Sequence, residues 1–106
     1  MTVRRCLSNR RNSLTFDLEV AGLRYKATVG YFDDGAPAES FISNHKSGNA
    51  ADLAARDAGI LISLALQHGC DLTTIARAVS RDSDGSPVGV VGAVLDLITE
   101  TKGATP

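Results

Sequence analysis

The chain has 106 residues, 43% of them hydrophobic and 22% charged, with a net charge of -1. This is the balance of one ordinary globular domain, large enough for a single modest core because folding at this size buries roughly 65% of the unfolded surface. It excludes a disordered tail, a collagen-like chain and a membrane span, since no apolar run approaches the ~20 residues a bilayer requires.

The charge is uneven along the chain. Residues 1–13 hold Arg4, Arg5, Arg10 and Arg11 and no acid, whereas the other seven basic residues face all twelve acidic ones. A basic arm on a mildly acidic body is a candidate contact for phosphate or an acidic partner. A sequence pI near 6.0 does not describe a dedicated nucleic-acid binder, which shows a broad basic face.

Residues 14–20 alternate strictly, with Leu14, Phe16, Leu18 and Val20 on one side and Thr15, Asp17 and Glu19 on the other. The pattern repeats over 23–32, and only Ala21 and Gly22 separate the two runs, which predicts a two-residue hairpin. Pairing Val20 with Leu23 sets Glu19 opposite Arg24 and Asp17 opposite Lys26, whereas a one-residue slip turns one strand's faces over. A turn at Asp33-Asp34-Gly35 leads past Pro37 to a third strand over 38–43, whose start lies at an edge or just outside the ladder because proline lacks the ladder donor.

Asn49 then caps a long helix over 49–68, with Asp52 in the capping-box position. Leu53, Ile60, Leu61, Leu64 and His68 fall on one stripe, opposite Ala50, Ala51, Ala54, Ala58 and Ala65, where another element can approach closely. From Ala58 to Leu66 the helix is apolar nearly all round, which predicts a buried central helix ended by Gly69. A short helix follows over 71–80, capped by Asp71, and a third over 87–100, with Ser86 as N-cap and Pro87 as first helical residue. Residues 101–106 should fray. The expected architecture is α+β: an antiparallel three-stranded meander with one face covered by three helices.

Candidate chemistry centres on Asn44-His45-Lys46-Ser47-Gly48-Asn49, a Gly-, Ser- and Lys-containing loop running into a helix N-terminus. Such loops hold anions through free N–H groups and the helix dipole, which makes His45, Lys46, Ser47, Gly48 and Asn49 the candidate ligand site and nucleotide or phosphate its ligand. The order required of a Walker A loop is absent. Asp33, Asp34 and Glu39 cluster at one turn, Asp57 lies mid-helix beside Arg56, and Ser63 has no His or Asp partner at catalytic spacing. Cys6 and Cys70 form no CxxC pair, so no metal or other cofactor is expected, and the absence of an apolar leader predicts reduced thiols and a cytoplasmic protein.

Several blocks, in order, resemble the TSCPD family over residues 4–99. They include Gly22-Leu23-Arg24-Tyr25, Gly30-Tyr31-Phe32-Asp33-Asp34-Gly35, Asn44-His45-Lys46-Ser47-Gly48, Ala55-Arg56-Asp57-Ala58, Ser63-Leu64-Ala65-Leu66-Gln67-His68-Gly69, Arg81-Asp82, Gly85-Ser86-Pro87 and Leu95-Asp96-Leu97-Ile98. The family's domain ends adenosylcobalamin-dependent ribonucleotide reductases and also occurs as short free-standing bacterial proteins. The resemblance implies a non-catalytic accessory or regulatory domain that binds a nucleotide, phosphate or a protein partner such as a ribonucleotide reductase.

The naming motif is altered, because Asp84-Gly85-Ser86-Pro87-Val88 places Ser86 where the family has cysteine, which removes any thiol or metal role there. Two alternatives remain: a reductase component using Cys6 or Cys70 as a thiol, and a nucleic-acid-binding module using the basic arm. Three strands and three helices leave an apolar stripe uncovered, so a homodimer is expected.

Overall fold

The structure, a computed structural model, describes residues 3–9 and 11–101; residues 1–2, Arg10 and residues 102–106 lie outside it, and of the tail expected to fray over 101–106 only Thr101 is described, as the last residue of a helix. The order is β1 (Ser13–Val20), β2 (Leu23–Tyr31), β3 (Pro37–Asn44), α1 (Ala50–Gln67), α2 (Leu72–Ala78) and α3 (Val90–Thr101). The strands form one antiparallel sheet in the order β1-β2-β3.

The hairpin adopts the expected register, Val20 opposite Leu23 and Phe16 opposite Ala27. Ala21 and Gly22 both have positive φ, 52° and 79°, as the tight primed turn that matches strand twist requires. Glu19 and Arg24 are opposed, as are Asp17 and Lys26, yet neither couple closes into an ion pair among the described residues. Pro37 pairs with Tyr31 at the end of the ladder, beside a bulge at Gly30 and Tyr31, and β3 is an edge strand.

The core joins Ala27, Val29 and Ile42 of the sheet to Ala55, Ile62 and Leu66 of α1, Leu72 of α2, and Val94, Leu95 and Ile98 of α3. Phe16, Leu18 and Tyr25 pack at its margin. Arg81 ties the C-terminal helices together. Its guanidinium makes a paired contact with Asp96 of α3 at 2.8 and 2.9 Å and donates from Nε to the carbonyl of Ala76 in α2.

The long helix differs from its expected orientation. Its buried side is Asp52, Ala55, Gly59, Ile62, Ser63, Leu66 and Gln67, while Leu53, Ile60, Leu61 and Leu64 are exposed. The reason is the free edge of β3. His45 N–H bonds to Arg24 O, so the antiparallel alternation points the polar groups of residues 38, 40, 42 and 44 away from β2. α1 meets them with side chains that can hydrogen-bond. Gln67 Nε2 donates to Ala38 O at 3.1 Å, Ser63 Oγ accepts from Ser40 N–H at 2.9 Å, and Asp52 Oδ1 accepts from Asn44 N–H at 2.9 Å. The Leu and Ile side chains cannot do this, so they face outward.

The third helix also starts later than expected. Pro87 forms an isolated bridge with Arg81, and Ser86 O accepts from Asp82 N–H. Residues 82–88 therefore close a tight loop, and Ser86 and Pro87 are not the cap and first turn of α3.

Gly59 lets α1 lie directly on the β3 backbone, because a Cβ there would stand 2.7 Å from Ser40 O and 3.1 Å from Ile42 N. In an open helix Gly→Ala stabilises by about 1 kcal/mol. Here Gly59→Ala has the opposite sign, because overpacking against backbone costs about 1–3 kcal/mol. Thermal denaturation should show a lower Tm for the variant; a higher one would mean that α1 does not seat on β3.

Candidate functional site

The loop from Asn44 to Asn49 enters α1 as expected, and Asn49 is its N-cap, with Oδ1 accepting from Asp52 N–H at 2.7 Å. The loop's interior already holds an anion, the carboxylate of Asp52. Its Oδ1 accepts from Asn44 N–H, and its Oδ2 accepts from Gly48 N–H and from Arg56 Nε, at 2.9 and 2.8 Å. The side chain is 1% exposed. The Gly48 N–H, then Arg56, then the Asn44 N–H hold its pKa down at about 2. The N–H of Lys46 is also engaged, by Asn44 Oδ1 at 3.0 Å. Gly48 reaches the turn with φ 83°, a conformation that costs glycine little. The anion that the Asn44 and Gly48 N–H groups hold in the structure is the chain's own Asp52 carboxylate.

His45 lines an open cleft of about 680 Å³ with Asp17, Glu19, Arg24, Lys26, Ser43 and the adjoining Leu18, Tyr25 and Asn44. It spans the ends of all three strands. Because Arg24 and Lys26 are unpaired among the described residues, the cleft presents two guanidinium or ammonium groups beside two carboxylates. Sequence reasoning placed these four residues in the hairpin as pairing partners; that they face a common hollow with His45 depends on strand order and twist.

The described arginines of the arm turn inward to the fold. Arg4 Nε donates to Gln67 Oε1, and Arg5 N–H donates to Gln67 O at 2.6 Å. Arg5 also pairs with Asp34 at 2.8 Å and lies over the Phe32 ring, 3.8 Å from its centroid. Arg11 pairs with Glu39 and donates to Ser8 O. Arg10 is outside the described residues. The acids Asp33, Asp34 and Glu39 are thus partners of the arm: Ser8 bonds to Asp33, while the Ala36 N–H and Arg5 hold Asp34 below the ordinary carboxylate range.

The remaining candidates occupy separate places. Ser63 is buried and fills a structural role on Ser40, donating its own proton to Gly59 O at 2.8 Å or Ser40 O at 3.2 Å. His68 ends α1, with Nδ1 on Leu64 O at 2.8 Å. Cys6 and Cys70 are free and exposed. Among the described residues no group of three or more His, Cys, Asp or Glu is placed to hold a metal ion, and no helix is long and apolar enough to cross a membrane.

With this geometry in view, comparison with known proteins gives a consistent relation. A vitamin B12-dependent ribonucleotide reductase of Rhodopirellula baltica is 28% identical over 106 residues, covering 93% of this chain and 10% of that protein. Another of the same name, from Agrobacterium fabrum, is 37% identical over 85 residues, covering 80% of this chain and 7% of that protein. The protein is therefore an α+β domain related to a segment of vitamin B12-dependent ribonucleotide reductases, and it spans a tenth or less of the length of these relatives. No family model matches the chain, and no solved structure matches it.

Asp52 has a depressed folded pKa, so its contribution to stability is present above the unfolded value of 3.8 and is lost as the pH falls towards 2. Asp34, Asp84 and Asp96 are lowered too and act with the same sign. Asp52→Ala should lower the Tm at pH 7 by ~10 °C, because the buried Asn44 N–H and the part-buried Gly48 N–H lose their acceptor. The Tm difference between variant and parent should shrink between pH 4 and 2. A constant difference across that window would show that the carboxylate charge does not hold the loop.

Proposed function

We propose that this chain is a non-catalytic accessory or regulatory domain of the TSCPD type that works in the cytoplasm beside a ribonucleotide reductase by binding a nucleotide or phosphate. One observation carries the choice of binding over catalysis: the two buried carboxylates among the described residues, Asp52 and Glu39, are both engaged in holding β3, α1 and the arm together, which leaves neither to act as a general acid or base. The relation to the reductases and the ordered motif blocks support the link to deoxyribonucleotide synthesis.

The ligand's place in this reading is the cleft at His45, since Asp52 fills the interior of the 44–49 loop. Arg24, Lys26 and His45 suit phosphate oxygens. Asp17 and Glu19 suit ribose hydroxyls, which donate to carboxylates.

The test is a thermal-shift screen with ribonucleotides, deoxyribonucleotides and inorganic phosphate. A ligand at ~100 times its Kd adds about 2.7 kcal/mol, several degrees for a domain of this size. A nucleotide-selective shift is expected, abolished in Arg24→Ala and Lys26→Ala. A shift abolished only in Lys46→Ala would move the site to the loop. No shift with any of them would overturn the nucleotide reading in favour of a protein-partner module, to be pursued by pull-down with a reductase.

A further inference from the structure

The outward half of α1 carries Leu53, Ile60, Leu61 and Leu64 at 56, 53, 66 and 37% exposure. Single exposed aliphatics are ordinary on a protein surface. Four lie along one side of one helix, with Asp57 between Leu53 and Ile60, and such a concentration is the mark of an interaction surface. The stripe is not a side effect of a weak helix, because the opposite side of α1 is fixed to β3 by Asp52, Gly59, Ser63 and Gln67.

The order of side chains along the stripe points to its occupant. Asp57, Leu61, Leu64 and His68 follow one another at spacings of four, three and four, the seam of two packed helices. That series reads the same in both directions about a point midway between Leu61 and Leu64. An identical helix laid antiparallel about a two-fold axis there sets Leu61 against the second copy's Leu64 and Ile60 against the second copy's Ala65. The same axis sets Asp57 against the second copy's His68.

The two ends are chemically complementary. Asp57 has no hydrogen bond or ion pair among the described residues. His68 places Nδ1 on its own Leu64 carbonyl, an arrangement that makes Nδ1 a donor; in the imidazolium form Nε2 is a donor as well, the form that a facing carboxylate favours and can accept from. Arg56, the charge beside Asp57, is engaged by Asp52 and meets only Gly69 of the second copy in this register. An isologous contact needs a surface complementary to itself, and this seam has that property.

We infer that α1 is the interface of a two-fold homodimer, packed antiparallel on its own copy through Leu61 and Leu64 and closed at each end by Asp57 with the second copy's His68. This goes beyond the nucleotide reading and does not depend on it. One helix seam covers less than the ~800 Å² per partner of a standard interface, which places the dimer in the weak class.

The test is sedimentation equilibrium of the full chain from ~10 µM to ~1 mM, concentrations that bracket weak association. The weight-average mass should rise from 11.1 kDa towards twice that value. Leu61→Glu, at a site exposed enough to fold normally by circular dichroism, should hold the protein at monomer mass. Asp57→Lys and His68→Glu should each weaken association at least ~10-fold, and the double variant should recover most of the loss. A monomer at every concentration, a dimer indifferent to Leu61→Glu, or single variants that the double does not rescue would each overturn the assignment.

Discussion

β3 has a strand neighbour on one side only, and the rest of the molecule is arranged around how its other side is satisfied. Unpaired strand groups invite edge-to-edge association, and buried ones must find partners. α1 supplies those partners from side chains at residues 52, 63 and 67, with Gly59 between them to allow backbone-close approach. A helix so placed covers the edge and fills the core with Ile62 and Leu66 from the same side. Once this side of α1 is committed to β3, its aliphatic residues have only solvent or another molecule to face.

The same contact explains the loop before the helix. Asp52 reaches back from the first turn of α1 to the last residue of β3 and to Gly48, so one carboxylate closes the loop, caps the strand edge and interacts favourably with the helix N-terminus. At the far end Gln67 does the equivalent work, joining Ala38 of β3 to the backbone of Arg5 and the side chain of Arg4. The N-terminal arm is in this way an extension of the α1–β3 contact. Its positive charge is balanced locally by Asp34 and Glu39, whereas Arg24 and Lys26 in the cleft beside His45 stand without an ion pair among the described residues.

How far each feature was legible in the sequence follows the range of the physics behind it. The β1–β2 hairpin and its register were legible because alternation, charge pairing and a two-residue turn are all local and agree. The Asn49 cap, the edge position of β3 and the existence of three helices were legible for the same reason. The α3 start was misread because Ser86-Pro87 is a good local cap signal that loses to a bridge with Arg81. The pairing of Arg81 with Asp96 left no local signal at all, since it depends on how α2 and α3 meet.

The candidate site divides along the same line. Composition and pattern alone determined an α+β domain, a loop capped by Asn49 at a helix N-terminus and an apolar stripe on α1. The tertiary structure alone decided that the loop's anion is Asp52, that the arm's acids and arginines meet each other, and that the stripe points outward. Periodicity reports which residues share a face of a helix; it carries no information about which face a neighbour needs. On α1 that choice was made by the unpaired backbone of β3, for which a buried hydrogen bond outweighs the burial of another leucine.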